Sequence, residues 1–127
     1  MRPRSATLTG SELEIMKIVW RLERTTVRDV YEELLKDRKI AYTTVMTMMK
    51  VLEQKGHLKR SSEDKAHVYE PSESRLKVVG SMVTEFLNRV FDGSAEPLLA
   101  HLVDQKHITR EELAEIAKLR SQPRGKK

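Results

Sequence analysis

The 127-residue chain contains no cysteine, which excludes disulfides, thiolate metal sites and thiol redox sensing. It has no apolar run long enough to cross a bilayer, and its opening residues, MRPRSATLTG, lack the apolar core of a secretion signal. A soluble, cytoplasmic protein without a membrane partner is expected. Aromatic residues supply only 5% of the chain, so Leu, Val, Ile and Met must carry the core, which favours helices. Enzyme signatures are missing as well: there is no HExxH, no Gly-rich phosphate loop and no Gly-x-Ser-x-Gly. His57, His67, His101 and His107 are scattered. His57 and His67 could face each other across a hairpin, but two histidines leave a metal short of ligands. Neither catalysis nor a cofactor is expected.

What the chain does have is positive charge, a formal +5 with a pI of about 9.6. The excess is spread over both halves, so it permits a nucleic-acid partner without identifying one. The informative stretch is Ile40 to Arg60, IAYTTVMTMMKVLEQKGHLKR. On a helix, Val45, Met48, Met49 and Leu52 recur at i, i+3, i+4 and i+7 and form one buried stripe. The opposite face carries Thr43, Thr47, Lys50 and Gln54, with Met46 beside them. That face is small and polar with one cation, suited to lying close against a polar partner. Gly56 is placed to end the helix at C′, and His57 to Arg60 reads as a strand.

The preceding residues give helix-turn-helix order. Met1 to Ala6, with Arg2, Pro3 and Arg4, is either a frayed terminus or an arm along DNA. Thr9-Gly10-Ser11-Glu12 fits a capping box. It opens a helix whose core side is read as Leu13, Met16 and Trp20, with Val19 flanking and Ile15 and Ile18 further round. Thr26, with Asp29 three residues on, caps a second helix whose apolar side is Val27, Val30, Tyr31, Leu34 and Leu35. Arg28 sits in its first turn, where a cation opposes the helix dipole and a docked phosphate would offset that cost; a solvated surface cation is the other reading. Beyond Arg60, a polar turn through Lys65 leads to a second strand, Ala66 to Glu70, in which Val68, the apolar residue, alternates with His67 and Tyr69 as in a strand with one buried face. Two strands around a polar tip make a wing, closed by Pro71.

A second unit begins after Ser72. Leu76, Val79, Val83, Phe86 and Val90 form a seam of about two heptads, too short to stand alone. Pro97 to Val103 reads as a short helix. Thr109 to Glu112 is a further capping box, opening a helix with Leu113, Ile116 and Ala117 on its apolar side. Ser121 to Lys127 is a charged tail. So little chain around three apolar-faced helices needs a partner, and a symmetric homodimer is the simplest. The expected architecture is mainly α: a winged helix-turn-helix DNA-binding domain over residues 1–72, then a helical dimerisation domain over 73–127. A winged-helix module that docks on protein is the alternative.

The blocks LTGSELEIMKIVW (8–20), AYTTVMTMMKVLEQKGHLKR (41–60), AHVYEP (66–71) and FLNRVFDGS (86–94) resemble, in order, the BlaI/MecI family of penicillinase and methicillin-resistance repressors. The resemblance implies a dimeric winged-helix repressor that binds a palindromic operator and blocks transcription of antibiotic-resistance genes. It implies that Thr43, Thr44, Met46, Thr47 and Lys50 face bases and phosphates in the major groove, while Lys59, Arg60 and Lys65 on the wing, with Arg28, meet phosphate. It also implies an inducing protease, because members switched by proteolysis are cut at an Asn-Phe bond in the dimerisation region. The positional match here, in LLAHLV, is His101-Leu102. The copper-responsive branch uses a C-terminal cysteine cluster, which this chain does not have.

Overall fold

The computed structural model describes residues 8–61 and 67–121; the basic arm with Arg2 and Arg4, the wing-tip turn with Lys65, and the tail after Ser121 lie outside the described residues. In order, the elements are α1 (Gly10–Leu22), β1 (Thr25–Thr26), α2 (Val27–Leu35), α3 (Tyr42–Gln54), β2 (Leu58–Ser61), β3 (Val68–Pro71), α4 (Arg75–Phe91), α5 (Glu96–Asp104) and α6 (Arg110–Ser121). The protein is mainly α, with one three-stranded antiparallel sheet in the order β1-β3-β2.

Three helix starts follow from capping boxes in the sequence. At α1 the Thr9 hydroxyl accepts from the Glu12 N–H at 3.1 Å, and the Thr9 N–H donates to the Glu12 carboxylate at 3.0 Å. Thr26 and Asp29 form the same reciprocal box at α2, and Thr109 and Glu112 form it at α6. α3 stops where it must. Gly56 takes a φ of 91°, and the N–H groups of Gly56 and His57 close onto the carbonyls of Glu53 and Leu52. This Schellman turn needs a left-handed residue at C′, which glycine adopts without strain.

The chain divides into two compact units, one ending at Glu85 and one starting at Phe86. This boundary falls inside α4, later than the one read after Ser72. The reason is the start of α4: Val78 is buried and Met82 packs against the core of the first unit. That core gathers Ile15, Met16 and Val19 from α1, Val30 and Leu34 from α2, Val45, Met49 and Leu52 from α3, then Leu58 and Tyr69 from the sheet.

Several side chains differ from their sequence-based placement. Ile15 and Val19 are buried on α1, while Leu13 and Trp20 are only half-buried at the edge of the core. Trp20 sits there because its indole N–H donates to the Glu73 carbonyl at 3.1 Å, and a buried indole needs such a partner. On α2, Leu35 is exposed. In β3 the alternation runs in the opposite phase: Tyr69 is buried and Val68 is half-buried. Strand β1 was not anticipated. It pairs Thr25 with Tyr69 and Thr26 with Val68, which makes β3 the central strand.

In the unit from Phe86 onward, Phe86 and Phe91 meet edge-on with ring centroids 5.8 Å apart. Pro97 stands in the first turn of α5, where its missing N–H costs nothing. His101 and Leu102 lie within α5.

Candidate nucleic-acid interface

The outer face of α3 is the feature on which the site is built. Val45, Met49 and Leu52 are buried, which turns Thr43, Thr47, Lys50 and Gln54 outward; all four are exposed, as is Thr44. Met46 is half-buried and packs against the core, because it stands on the flank of the stripe and its flexible thioether reaches inward. It is therefore the least accessible of the five α3 residues singled out from the sequence. Ala41 occupies the N-cap, where it offers no side-chain acceptor, and the first turn holds no acid. The positive end of the helix dipole is left uncompensated by side chains at this terminus.

The cations near this face differ in how firmly they are held. Lys50 and Lys59 are exposed, and neither forms an ion pair among the described residues. Arg60 is more engaged: its Nε lies 3.7 Å from the Glu53 carboxylate, and one guanidinium nitrogen donates to His67 Nδ1 at 2.8 Å. Arg28 lies 3.7 Å from Glu32 and over the ring of Tyr42. Lys65 lies outside the described residues. The structure thus places Arg28, Thr43, Thr44, Thr47, Lys50, Lys59 and Arg60 at the surface of the winged unit, and turns Met46 partly into it.

What fixes this surface is the framework beneath it. Lys55, just past the end of α3, donates to Glu12 of α1 at 2.6 Å, and the Glu12 side chain is 9% exposed. Burial pushes the Glu12 carboxyl up, but hydrogen bonds from Lys55 and from the Thr9 N–H, with the Lys55 charge, outweigh it and hold the group below its ordinary value. On the wing, burial raises the Tyr69 phenol, the Glu53 carboxylate raises it further, and Arg60 opposes both. The hydroxyl stays neutral, as a core position requires. Arg24 donates to Glu70 across the β1 side of the sheet. On the side of α1 and α2, Arg21 and Lys36 share Glu33, and Arg38 pairs with Glu14.

The histidine pair considered from the sequence does not assemble. Leu58 is opposite Pro71 and Ser61 opposite Val68, so His57 and His67 stand at opposite ends of the hairpin. His57 is buried and His67 exposed. Among the described residues there is no group of three side chains able to hold a metal, and no helix is long and apolar enough to cross a membrane.

The seam residues on α4 are open. Leu76 is 84% exposed and Val90 50% exposed, with Val83 and Phe86 also exposed and Val79 half-buried. On α4, Val78 and Met82 serve the core, while Leu76, Val83, Phe86 and Val90 remain exposed among the described residues. Ile116 and Leu119 of α6 are exposed too. Sequence reasoning gave Tyr42 no role; the signal was the second tyrosine, Tyr31, on the neighbouring helix.

The chain is similar to known proteins over nearly its whole length. The penicillinase repressor family model matches residues 8–122. The penicillinase repressor of Bacillus licheniformis is 25% identical over 120 residues, covering 94% of each chain. The transcriptional regulator BlaI of Mycobacterium tuberculosis is 36% identical over 112 residues, covering 83% of this chain and 81% of that one. Among solved structures, the DNA-binding domain of the repressor BlaI superposes with a TM-score of 0.51 at 28% identity, over 58% of this chain and 90% of that domain. Bacillus licheniformis BlaI in complex with the blaP half-operator gives 0.50 at 29% identity, over 59% and 90%. With the winged-helix core and a family match that runs through the second unit, the chain belongs to the penicillinase repressor family.

Proposed function

We propose that this protein is a sequence-specific DNA-binding transcriptional repressor, acting in the cytoplasm as a homodimer on a palindromic operator that controls resistance genes such as a β-lactamase. The observation that carries the reading is the outer face of α3: three exposed threonines and a free lysine on a helix anchored by a buried stripe, beside a wing that presents Lys59. Threonine hydroxyls can donate or accept at base edges and their methyl groups suit thymine, while lysines meet phosphate. The half-operator complex of the Bacillus licheniformis relative supports the choice of DNA as partner. The seam of Leu76, Val83, Phe86 and Val90, all exposed, with Val79 half-buried beside them, supports a second copy as the other partner. Induction by a protease would require α5 to open around His101 and Leu102, since a helix must unwind to enter a protease cleft.

Selection from a random double-stranded DNA pool at two salt concentrations tests the proposal. The expected result is an enriched inverted repeat whose binding weakens steeply with salt. Binding without enrichment would remove the operator reading, and no binding at either salt would leave the protein-docking alternative.

A further inference from the structure

Three side chains are stacked outward from the core where α2 meets α3. Tyr31, half-buried and packed on the core, meets Tyr42 edge-on, with ring centroids 5.3 Å apart and an interplanar angle of 83°. The Arg28 guanidinium carbon lies 5.6 Å from the centroid of the Tyr42 ring. Arg28 itself is open to solvent at 66% exposure, and its carboxylate partner Glu32, 3.7 Å away, is open at 59%. The spacing explains the arrangement. Arg28 and Tyr31 are three residues apart on α2 and so share a face, and Tyr42 is the first residue of α3. A long arginine side chain loses freedom when it engages DNA, and a flat ring beneath the guanidinium removes part of that freedom beforehand. The local reason for a cation at residue 28, its i, i+4 pair with Glu32, is a solvent-open one that stabilises the helix little.

We infer that Tyr42 is a positioning residue for DNA binding: its ring, braced by Tyr31, holds Arg28 ready for a backbone phosphate beside the N-terminal end of α3. This rests on the DNA-binding reading above. Tyr42 acts through Arg28 and makes no specific contact of its own through its hydroxyl.

The test measures binding of the full-length protein to a selected duplex over a range of salt, for Arg28→Ala, Tyr42→Phe, Tyr42→Leu and the double variant Arg28→Ala/Tyr42→Leu. Arg28→Ala should weaken binding about tenfold at low salt and reduce the slope of log affinity against log salt by about one. Tyr42→Leu should weaken binding about threefold, and Tyr42→Phe should match the wild type. In the Arg28→Ala background, Tyr42→Leu should cause no further loss. A Phe variant as weak as the Leu variant would overturn the inference in favour of a direct hydroxyl contact. So would a Leu loss that persists without Arg28. If Tyr42→Leu melts early, Arg28→Lys replaces it: charge is kept but flat stacking is lost, and about a twofold weakening with an unchanged salt slope is expected. Wild-type affinity for Arg28→Lys would overturn the positioning role. Failure of the wild type to bind any duplex would sink the DNA-binding reading itself, whereas binding unaffected by Arg28→Ala would sink this inference alone.

Discussion

The two units of this chain handle apolar surface in opposite ways. Up to Glu85, helices and sheet enclose a core in which Val19, Val30, Val45, Met49 and Leu52 have no solvent exposure at all. From Phe86 onward, no described residue is buried, and Phe86, Val90, Ile116 and Leu119 lie open. The first unit closes its own core; the second leaves its apolar side chains exposed among the described residues. About 60 residues is close to the lower limit for an independent core, and the first unit reaches it by recruiting Val78 and Met82 from α4. The chain beyond has too little apolar surface facing inward to repeat that solution. On the proposed function, a self-sufficient first unit would let DNA reading and dimerisation be tested separately.

The contrast can be broken at its strongest point first. Phe86→Asp should abolish the proposed homodimer, with at least about a hundredfold weaker association, while the far-ultraviolet spectrum of the first unit persists; a dimer mass retained in sedimentation would refute the proposed seam. Next, Met49→Ala should destabilise the first unit by about 2–5 kcal/mol in urea unfolding. Leu119→Ala in the monomeric Phe86→Asp background should change stability by less than about 0.5 kcal/mol. Equal costs would show that the second unit has a core of its own. Within the reading surface, Thr47→Ala should cost about 1–3 kcal/mol at one operator position. Lys59→Ala should instead weaken operator and random DNA alike and lower the salt slope by about one. Equal losses on both duplexes for Thr47→Ala would remove it from the base-reading set.

A further expected effect concerns pH. Glu12 has a folded value held below the ordinary glutamate value of 4.5, so its ion pair with Lys55 contributes fully above that value. The contribution is lost as pH falls from there through the lowered folded value. Glu12→Gln keeps an acceptor for the Thr9 cap but removes the charge. It should lower stability by about 1 kcal/mol at neutral pH, and the gap from wild type should close on acidification. A gap independent of pH would assign the loss to packing alone.

The frame of α3 was legible because apolar period, polar outer face and helix stop agree: the Val45-Met49-Leu52 stripe, the threonine face and Gly56 each point to the same helix. The capping boxes at Thr9, Thr26 and Thr109 were legible for the same reason, being local. What failed depended on partners distant in sequence. Tyr69 and Val68 are both good strand residues, so alternation alone could not choose the inward one; the pairing of Thr25 with Tyr69 could, and a two-residue strand leaves almost no periodic signal. On α4 the longer stripe through Leu76 and Val83 masked the shorter one through Val78 and Met82, and with it the true reach of the first core. Met46 was placed outward by angle, but a long flexible side chain on a flank turns toward available packing.

The bond between Trp20 and the Glu73 carbonyl gives the molecule a built-in optical probe. The chain has one tryptophan, so all of its indole emission comes from the place where the wing hands over to α4. Loss of that hydrogen bond and entry of water would shift the emission to the red without any label. Titrating a selected DNA duplex into the wild type would therefore read, by colour alone, whether the proposed engagement of α3 is felt at the root of α4.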